Sequence, residues 1–367
     1  MSRINGQDFL LREGELSINI LKQSVKLIDN NILPNVSPKH KYLFKFGIQA
    51  FSLTPFNSLN SNARMMVKNT NTASSKVYRL VSNQKVLDNF PKLLRTGNLV
   101  NKDSLVNVDF STFCGFETLS FGVQTNLGRS IPIWNNCITY PISEVGSQNI
   151  FVIDEFKRLG AVLGFYPGLV FDRGFWIPDM IKFFLEENTA FYLRIKAGKL
   201  LEHGNGIKSA KVLGKATKDT QIKLYGYSLR LIVSPPPPIK SSRRFKESRK
   251  LKERWYILTN DFKSSRAKVL DIYKHRFEIE ETFKDLKHVS KLKKFFIKKK
   301  LSFKILLNFI CLSFWISYWC LQLAQLGMGI FYALTHPKKK RSYFRIWWEE
   351  IQRQMRKSLL NPFIPDG

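Results

Sequence analysis

The sequence predicts a mixed α/β fold, and three observations carry that prediction. A run of β-style segments fills residues 104 to 140. Helix and strand patterns alternate after residue 150. A long helical segment starting near Tyr273 closes the alternation. Strands that meander and then alternate with helices form a mixed sheet covered by helices.

Residues 1 to about 100 read as helical. Leu16-Ser-Ile-Asn-Ile-Leu-Lys-Gln-Ser-Val-Lys-Leu-Ile28 repeats apolar residues at helical period, and Ser75 to Asn83 and Asn89-Phe-Pro-Lys-Leu-Leu read as short basic helices. A DNA-binding region is expected there, with an ordinary helical packing layer as the alternative. Ser104 to Ser111 and Phe116 to Asn126 then alternate as strands, Asn126-Leu-Gly-Arg makes a turn, and Ser130 to Tyr140 is a third strand. Ile150 to Gly160 is helical, Gly168-Leu-Val-Phe-Asp172 is a short apolar strand, and Ile177 to Glu187 is the next helix. Short strands follow at Phe191-Tyr-Leu-Arg-Ile and Tyr227 to Val233. Ser234-Pro-Pro-Pro-Pro opens a basic connector that four prolines keep out of any central strand, and Trp255 to Asn260 returns to strand.

The chain has 367 residues, 59 Lys plus Arg against 28 Asp plus Glu, and a net charge of +31. That imbalance points to a polyanionic partner, nucleic acid first. Cys114, Cys137, Cys311 and Cys320 form no CxxC pair, and the five histidines lie off zinc spacing, so free thiols are expected rather than a zinc site. The N-terminal run has no apolar core, so no secretory signal is expected. Ile305 to Leu334 holds no charged residue and has the length of a membrane span. Asn308, Ser313, Ser317, Gln322 and Gln325 interrupt it and Gly327 and Gly329 break its end, so a buried core helix is expected.

The chemistry-bearing segment is Tyr273-Lys-His-Arg276-Phe-Glu-Ile-Glu280-Glu-Thr-Phe-Lys-Asp-Leu-Lys287. On one continuous helix, Tyr273, Arg276, Glu280 and Lys287 fall within a sector of about 60°. A carboxylate flanked by a phenol, a guanidinium and an ammonium suits a metal ion beside a phosphate. Asp109 and Asp172 each end an apolar strand, and strand ends crossed by a helix can gather three carboxylates. Singly, each aspartate reads more readily as a turn or cap residue. Asp103, Asp154, Asp179, Glu278 and Glu281 compete, but the face shared with Tyr273, Arg276 and Lys287 selects Glu280.

The pattern Y-x2-R-x3-E-x6-K, filled by Tyr273, Arg276, Glu280 and Lys287, resembles the signature of the insertion-sequence-four transposases. Ile279-Glu280 with Phe283 and Leu286-Lys287 is similar to its IE-xx-F-xx-LK block. Leu258-Thr-Asn260 is similar to the strand before it, Gly128-Arg-Ser-Ile-Pro-Ile to a GRAIPL-like strand, and Phe171-Asp172-Arg-Gly-Phe175 to a DRGF block. Val108-Asp109 resembles the block of the first aspartate. Phe277 departs from the pattern, standing where the family commonly has Trp.

The resemblance spans about residues 100 to 320. It implies an RNase H-like mixed-sheet catalytic core with a β-rich insertion and an N-terminal helical DNA-binding region. The divisions are then 1–100 helical, 101–188 first part of the core, 189–260 insertion, 261–335 last core helices and 336–367 basic C-terminal region. Asp109, Asp172 and Glu280 become the catalytic, metal-holding triad, with two Mg2+ ions that Mn2+ can replace. Tyr273, Arg276 and Lys287 become DNA contacts, and Trp255 a weak candidate for stacking on a flipped base. The implied activity is a hydrolytic nick at an element end, a DNA hairpin formed by the freed 3′-hydroxyl, and joining to target DNA. Implied partners are duplex DNA with terminal inverted repeats, target DNA and a second copy of the chain, in a bacterial cytoplasm and without a membrane. The competing readings are an inactive or domesticated DNA-binding relative, an RNase H-fold nuclease that cuts without joining, and a basic membrane-associated protein.

Overall fold

The structure is a computed structural model that describes residues 28–48, 70–97, 99–125, 127–139, 147–204, 206–235, 254–290, 292, 297–323, 345 and 349. In chain order its α-helices and strands are α1 (Pro38–Gly47), α2 (Thr70–Val81), α3 (Gln84–Leu87), α4 (Phe90–Thr96), β1 (Leu105–Phe113), β2 (Phe116–Val123), β3 (Ile131–Ile138) and α5 (Gln148–Leu163). There follow β4 (Gly168–Phe171), α6 (Pro178–Glu186), β5 (Phe191–Ile195), β6 (Leu200–His203), β7 (Gly206–Ser209), α7 (Ala210–Ala216), β8 (Asp219–Leu224) and β9 (Tyr227–Val233). The last are β10 (Tyr256–Thr259), α8 (Arg266–Lys274), α9 (Phe277–His288) and α10 (Lys300–Leu323). The chain forms two compact units: Met1–Leu99, Phe110–Pro141 and Ile279–Gly367 make the first, and Val100–Asp109 and Ile142–Glu278 the second. The expected helix over residues 16–27, most of the proline-rich basic connector and the segment beyond residue 323 with its two glycines lie outside the described residues.

In the first unit, β2 and β3 pair antiparallel from Glu117↔Ile138 to Val123↔Ile131, with an irregularity at Phe121/Gly122. Helix α10 lies on β3, where the Trp315 indole donates to the Pro132 carbonyl at 2.5 Å. The short N-terminal helices pack on the same helix through rings: Phe44 and Phe90 stand 4.9 and 5.0 Å from Phe309. Gly47 makes that approach possible, because a Cβ there would lie 2.4 Å from the Phe309 ring. The Lys300–Trp319 stretch is long and apolar enough to cross a membrane, yet 78% of it is buried inside the protein. Its polar groups are satisfied locally, Asn308 donating to the Lys304 carbonyl and Ser317 to that of Phe314. This is how a core helix carries such residues.

The second unit is built on a mixed sheet in the order β1-β4-β5-β10-β9-β8-β6-β7. Strands β1, β4 and β5 run parallel, and β10 to β5, β9 to β10 and β8 to β9 antiparallel. All four residues of β4 are buried, as a parallel strand covered on both faces requires. On one face Val170, Tyr192, Ile232 and Ile257 pack with Val269, Ile272 and Tyr273 of α8. On the other, Phe171 and Phe191 meet Phe184 of α6 at 5.7 and 5.8 Å, and Phe184 meets Phe156 of α5 at 5.3 Å. Helix α5 ends on Gly164 at φ +80°, a left-handed cap that glycine adopts without strain. Within residues 189–260, β5 and β10 are inner strands of this sheet, and β9, β8, β6 and β7 extend it beyond them.

One expectation needs correction. The sequence places Tyr273 through Lys287 on a single helix, but α8 stops at Lys274 and α9 begins at Phe277. The cause is the His275 carbonyl. In an unbroken helix it would accept from Ile279; here it accepts from the Asn107 side-chain amide at 2.9 Å and from the Glu278 N–H at 3.0 Å. The Arg276 N–H closes instead onto the Tyr273 carbonyl at 3.1 Å. Tyr273 therefore lies on α8, Arg276 in the turn that follows it, and Glu280 and Lys287 on α9.

Candidate active site

The parallel register sets the second-unit part of the site. Val108 pairs with Phe171, and Phe171 with Leu193. One residue further along each strand stand Asp109, Asp172 and Arg194, a row across β1, β4 and β5. Neighbouring strands lie about 4.8 Å apart, and residues in register point to the same face. Asp172 keeps an extended backbone, φ −84° and ψ 172°, so the row continues past the end of β4.

That face is the one α8 covers, and cations and a phenol meet the carboxylates there. Arg276 Nη1 donates to Asp109 Oδ2 at 3.4 Å, with the arginine buried and the aspartate partly open. Arg194 Nη1 lies 3.7 Å from Asp172 Oδ1. The Tyr273 hydroxyl donates to the same oxygen at 3.2 Å. Burial pushes the Tyr273 phenol well above its ordinary value; Arg276 pulls it partly back and Asp172 raises it further. Tyr273 thus stays a neutral donor. It is fully buried, and Trp255 stacks edge-on against it at 5.1 Å. Phe277, in the place of the expected Trp, is 4.7 Å from the Arg276 guanidinium and 6.1 Å from Trp255.

In the first unit, α9 carries Glu280 and Lys287, both half-buried. Its buried stripe is Ile279, Phe283 and Leu286, which explains the apolar positions of the motif. Phe283 packs edge-on against Phe113 at 5.7 Å, and Lys287 Nζ stands 5.2 Å over the same ring. Neighbouring acids are engaged with bases. Glu281 pairs with Lys284 and Arg129, and Asp285 with Arg129. In the second unit, the buried Glu278 meets His275 Nδ1 at 3.2 Å. Asp103 is exposed ahead of β1, Asp154 lies within α5, and Asp179 sits in the first turn of α6. Among the described residues, no three His, Cys, Asp or Glu side chains are grouped closely enough to hold a metal ion.

Arg194 was not selected from the sequence. It sits inside the apolar run Phe191-Tyr-Leu-Arg-Ile, and a charged residue placed in a buried strand was the available signal. Among the described residues, Cys114, Cys137 and Cys311 form no disulfide, and burial raises the pKa of Cys311 far above its ordinary value.

Residues 153–316 match the family model of a transposase DDE domain. That range contains Asp172, Tyr273, Arg276, Glu280 and Lys287; Asp109 precedes it. The match supports a DDE transposase. No curated protein matches the chain. A solved structure described as a piggyBac transposase synaptic complex with hairpin DNA is similar over 89% of this chain and 74% of its own, at 11% identity and a TM-score of 0.46.

Proposed function

We propose that this protein is a DNA transposase of the insertion-sequence-four type, built on an RNase H-like core. The observation that carries the reading is the in-register row of Asp109 within β1, Asp172 just past β4 and Arg194 within β5, faced by Tyr273 and Arg276. The antiparallel pair β2–β3 in the first unit and the parallel run β1-β4-β5 in the second support a mixed-sheet core. The DDE-domain match over residues 153–316 and the charge of +31 support the same reading.

The donor set fits a hard divalent cation, since Asp109 and Asp172 are partly exposed carboxylates on one face and Mg2+ takes oxygen ligands. Asp109, Asp172 and Glu280 would hold two Mg2+ ions, with Mn2+ as a substitute. Bound there, the ions supply a deprotonated nucleophile and neutralise charge on the leaving oxygen. The protein's own groups do the rest. Arg276 and Arg194 hold the aspartates in the DNA-free state and offer forked donors to phosphate once those carboxylates are otherwise engaged. Tyr273 holds the Asp172 carboxylate through its hydroxyl. Lys287 contributes a point charge toward DNA. The reaction is a hydrolytic nick at an inverted repeat, attack of the freed 3′-hydroxyl on the opposite strand to give a hairpin, reopening, and joining to target DNA. The N-terminal helices serve end recognition, two copies pair two ends, and the protein works in the bacterial cytoplasm.

The test is incubation of the protein and Mg2+ with DNA ending in the inverted repeats that flank its gene, followed by a denaturing gel. A nick and then a slow-migrating hairpin, both absent with Glu280→Gln, is the expected result. Nicks without hairpins favour a plain nuclease. Salt-sensitive binding without cleavage favours an inactive DNA-binding relative.

A further inference from the structure

The first unit holds a contact that the reaction as proposed does not use. Between β2 and β3, the Thr125 hydroxyl donates to the Arg129 carbonyl at 2.6 Å and accepts the Leu127 N–H at 3.1 Å. Gly128 supplies the left-handed backbone, φ +82°. The result aims Arg129 at α9. Its Nε donates to Asp285 Oδ2 at 2.6 Å, and its Nη1 donates to the Gly128 carbonyl at 2.6 Å while standing 3.7 Å from Glu281 Oε2. The pair is sheltered, Arg129 being 16% and Asp285 8% exposed at the side chain. One residue on, the Ser130 carbonyl accepts the buried Thr282 hydroxyl at 2.9 Å.

Glu281 and Thr282 follow Glu280 directly, Asp285 comes about a turn later, and the three lie on one side of the helix. Attachment at two heights fixes both the rotation and the axial position of α9. A slip of one residue would turn the helix by about 100°, whereas a working carboxylate must be held within about 10–20°. We propose that Arg129 is a positioning residue: through Asp285 and Glu281, with Ser130 and Thr282 beside them, it sets the direction in which Glu280 points. This rests on the transposase reading above. It gives the Gly128-Arg129-Ser130 segment a purpose that a turn leading into a strand does not by itself suggest.

The test compares wild type, Arg129→Gln, Asp285→Asn and the charge-swapped pair Arg129→Asp/Asp285→Arg. Three quantities are read: cleavage rate at saturating DNA, DNA affinity, and amide exchange of residues 279–288. Arg129→Gln is expected to lose about 100-fold in cleavage rate, the scale of a misplaced catalytic group. Its DNA affinity should hold, and its faster exchange should be confined to α9. The swapped pair is expected to recover most of the rate. Unchanged rate and exchange in Arg129→Gln would overturn the proposal. So would exchange that rises equally across β2, β3 and α10, or a swapped pair no better than the single variants. A wild type that fails to cut DNA removes the transposase reading and with it the catalytic purpose of the clamp. The exchange data then still decide whether Arg129 anchors the helix.

Discussion

In the second unit, Asp109 stands within β1 and Asp172 just past the end of β4, and they are touched directly by Arg276, Arg194 and Tyr273. In the first, Glu280 rides a helix whose attachment runs through its neighbours, Glu281, Thr282 and Asp285. Strand register fixes a residue's direction to one face, so a carboxylate there needs only a local partner. A helix can rotate as a body, so its carboxylate needs the whole element secured. The difference teaches where each acid is vulnerable: the aspartates to changes in what touches them, the glutamate to changes one turn away.

The largest expected effect breaks the strand side. Asp172→Asn should lower cleavage by at least about 1,000-fold, the scale of losing a group that acts on developing charge. DNA binding should survive, and a gel-shift assay beside a cleavage assay separates the two. Arg276→Ala comes next, because it strips a buried cation from Asp109. Breaking a buried pair costs about 3–5 kcal/mol; with Asp109 partly open to water, about 2–3 kcal/mol is expected by urea unfolding. On the helix side, Thr282→Val keeps the shape but deletes the donor to the Ser130 carbonyl, costing about 1–2 kcal/mol. Tyr273→Phe removes the 3.2 Å bond to Asp172 and should cost only about 0.5–1.5 kcal/mol. An effect of Tyr273→Phe larger than that of Arg276→Ala would reverse the account of what holds the aspartates.

A smaller effect lies in acid. Burial works against the charge of Asp261, but hydrogen bonds from Ser264, Tyr192 and the Lys263 N–H outweigh it and hold its carboxyl below the ordinary 3.8. A folded value below the unfolded one gives stability that is complete above 3.8 and lost as pH falls through the folded value. Asp261→Asn should therefore flatten the acid limb of stability measured by thermal unfolding, leaving the neutral range to show only the lost carboxylate bonds.

The sequence made the parallel part of the sheet legible, because Leu105 to Val108, Gly168 to Phe171 and Phe191 to Ile195 are short runs rich in apolar residues. Strands β6, β7 and β8 were not legible: Leu200–His203, Gly206–Ser209 and Asp219–Leu224 are short and largely exposed, so they lack a clean alternation. The break between α8 and α9 was hidden for another reason. It depends on Asn107, 168 residues away in the chain, and no local pattern signals such a bond. The spacing from Tyr273 to Lys287 was therefore read as one face of one helix. Asp172 was legible as a strand-end acid; Asp109 was read as one too, but β1 runs on to Phe113 and places it mid-strand, and the register supplied their neighbour Arg194. Arg129 stood in a segment read as a turn and as the start of a GRAIPL-like strand, and its partner Asp285 becomes visible only when that turn is packed on α9.

The central claim is that Asp109 and Asp172 form one cation-holding pair across parallel strands. Titration of Mn2+ into the protein, followed by loss of the free-ion paramagnetic resonance signal, tests it without requiring DNA or turnover. Wild type should take up Mn2+, with Asp109→Asn and Asp172→Asn each losing most of that uptake and the double variant losing little more than either. Uptake by both single variants equal to wild type would contradict the claim.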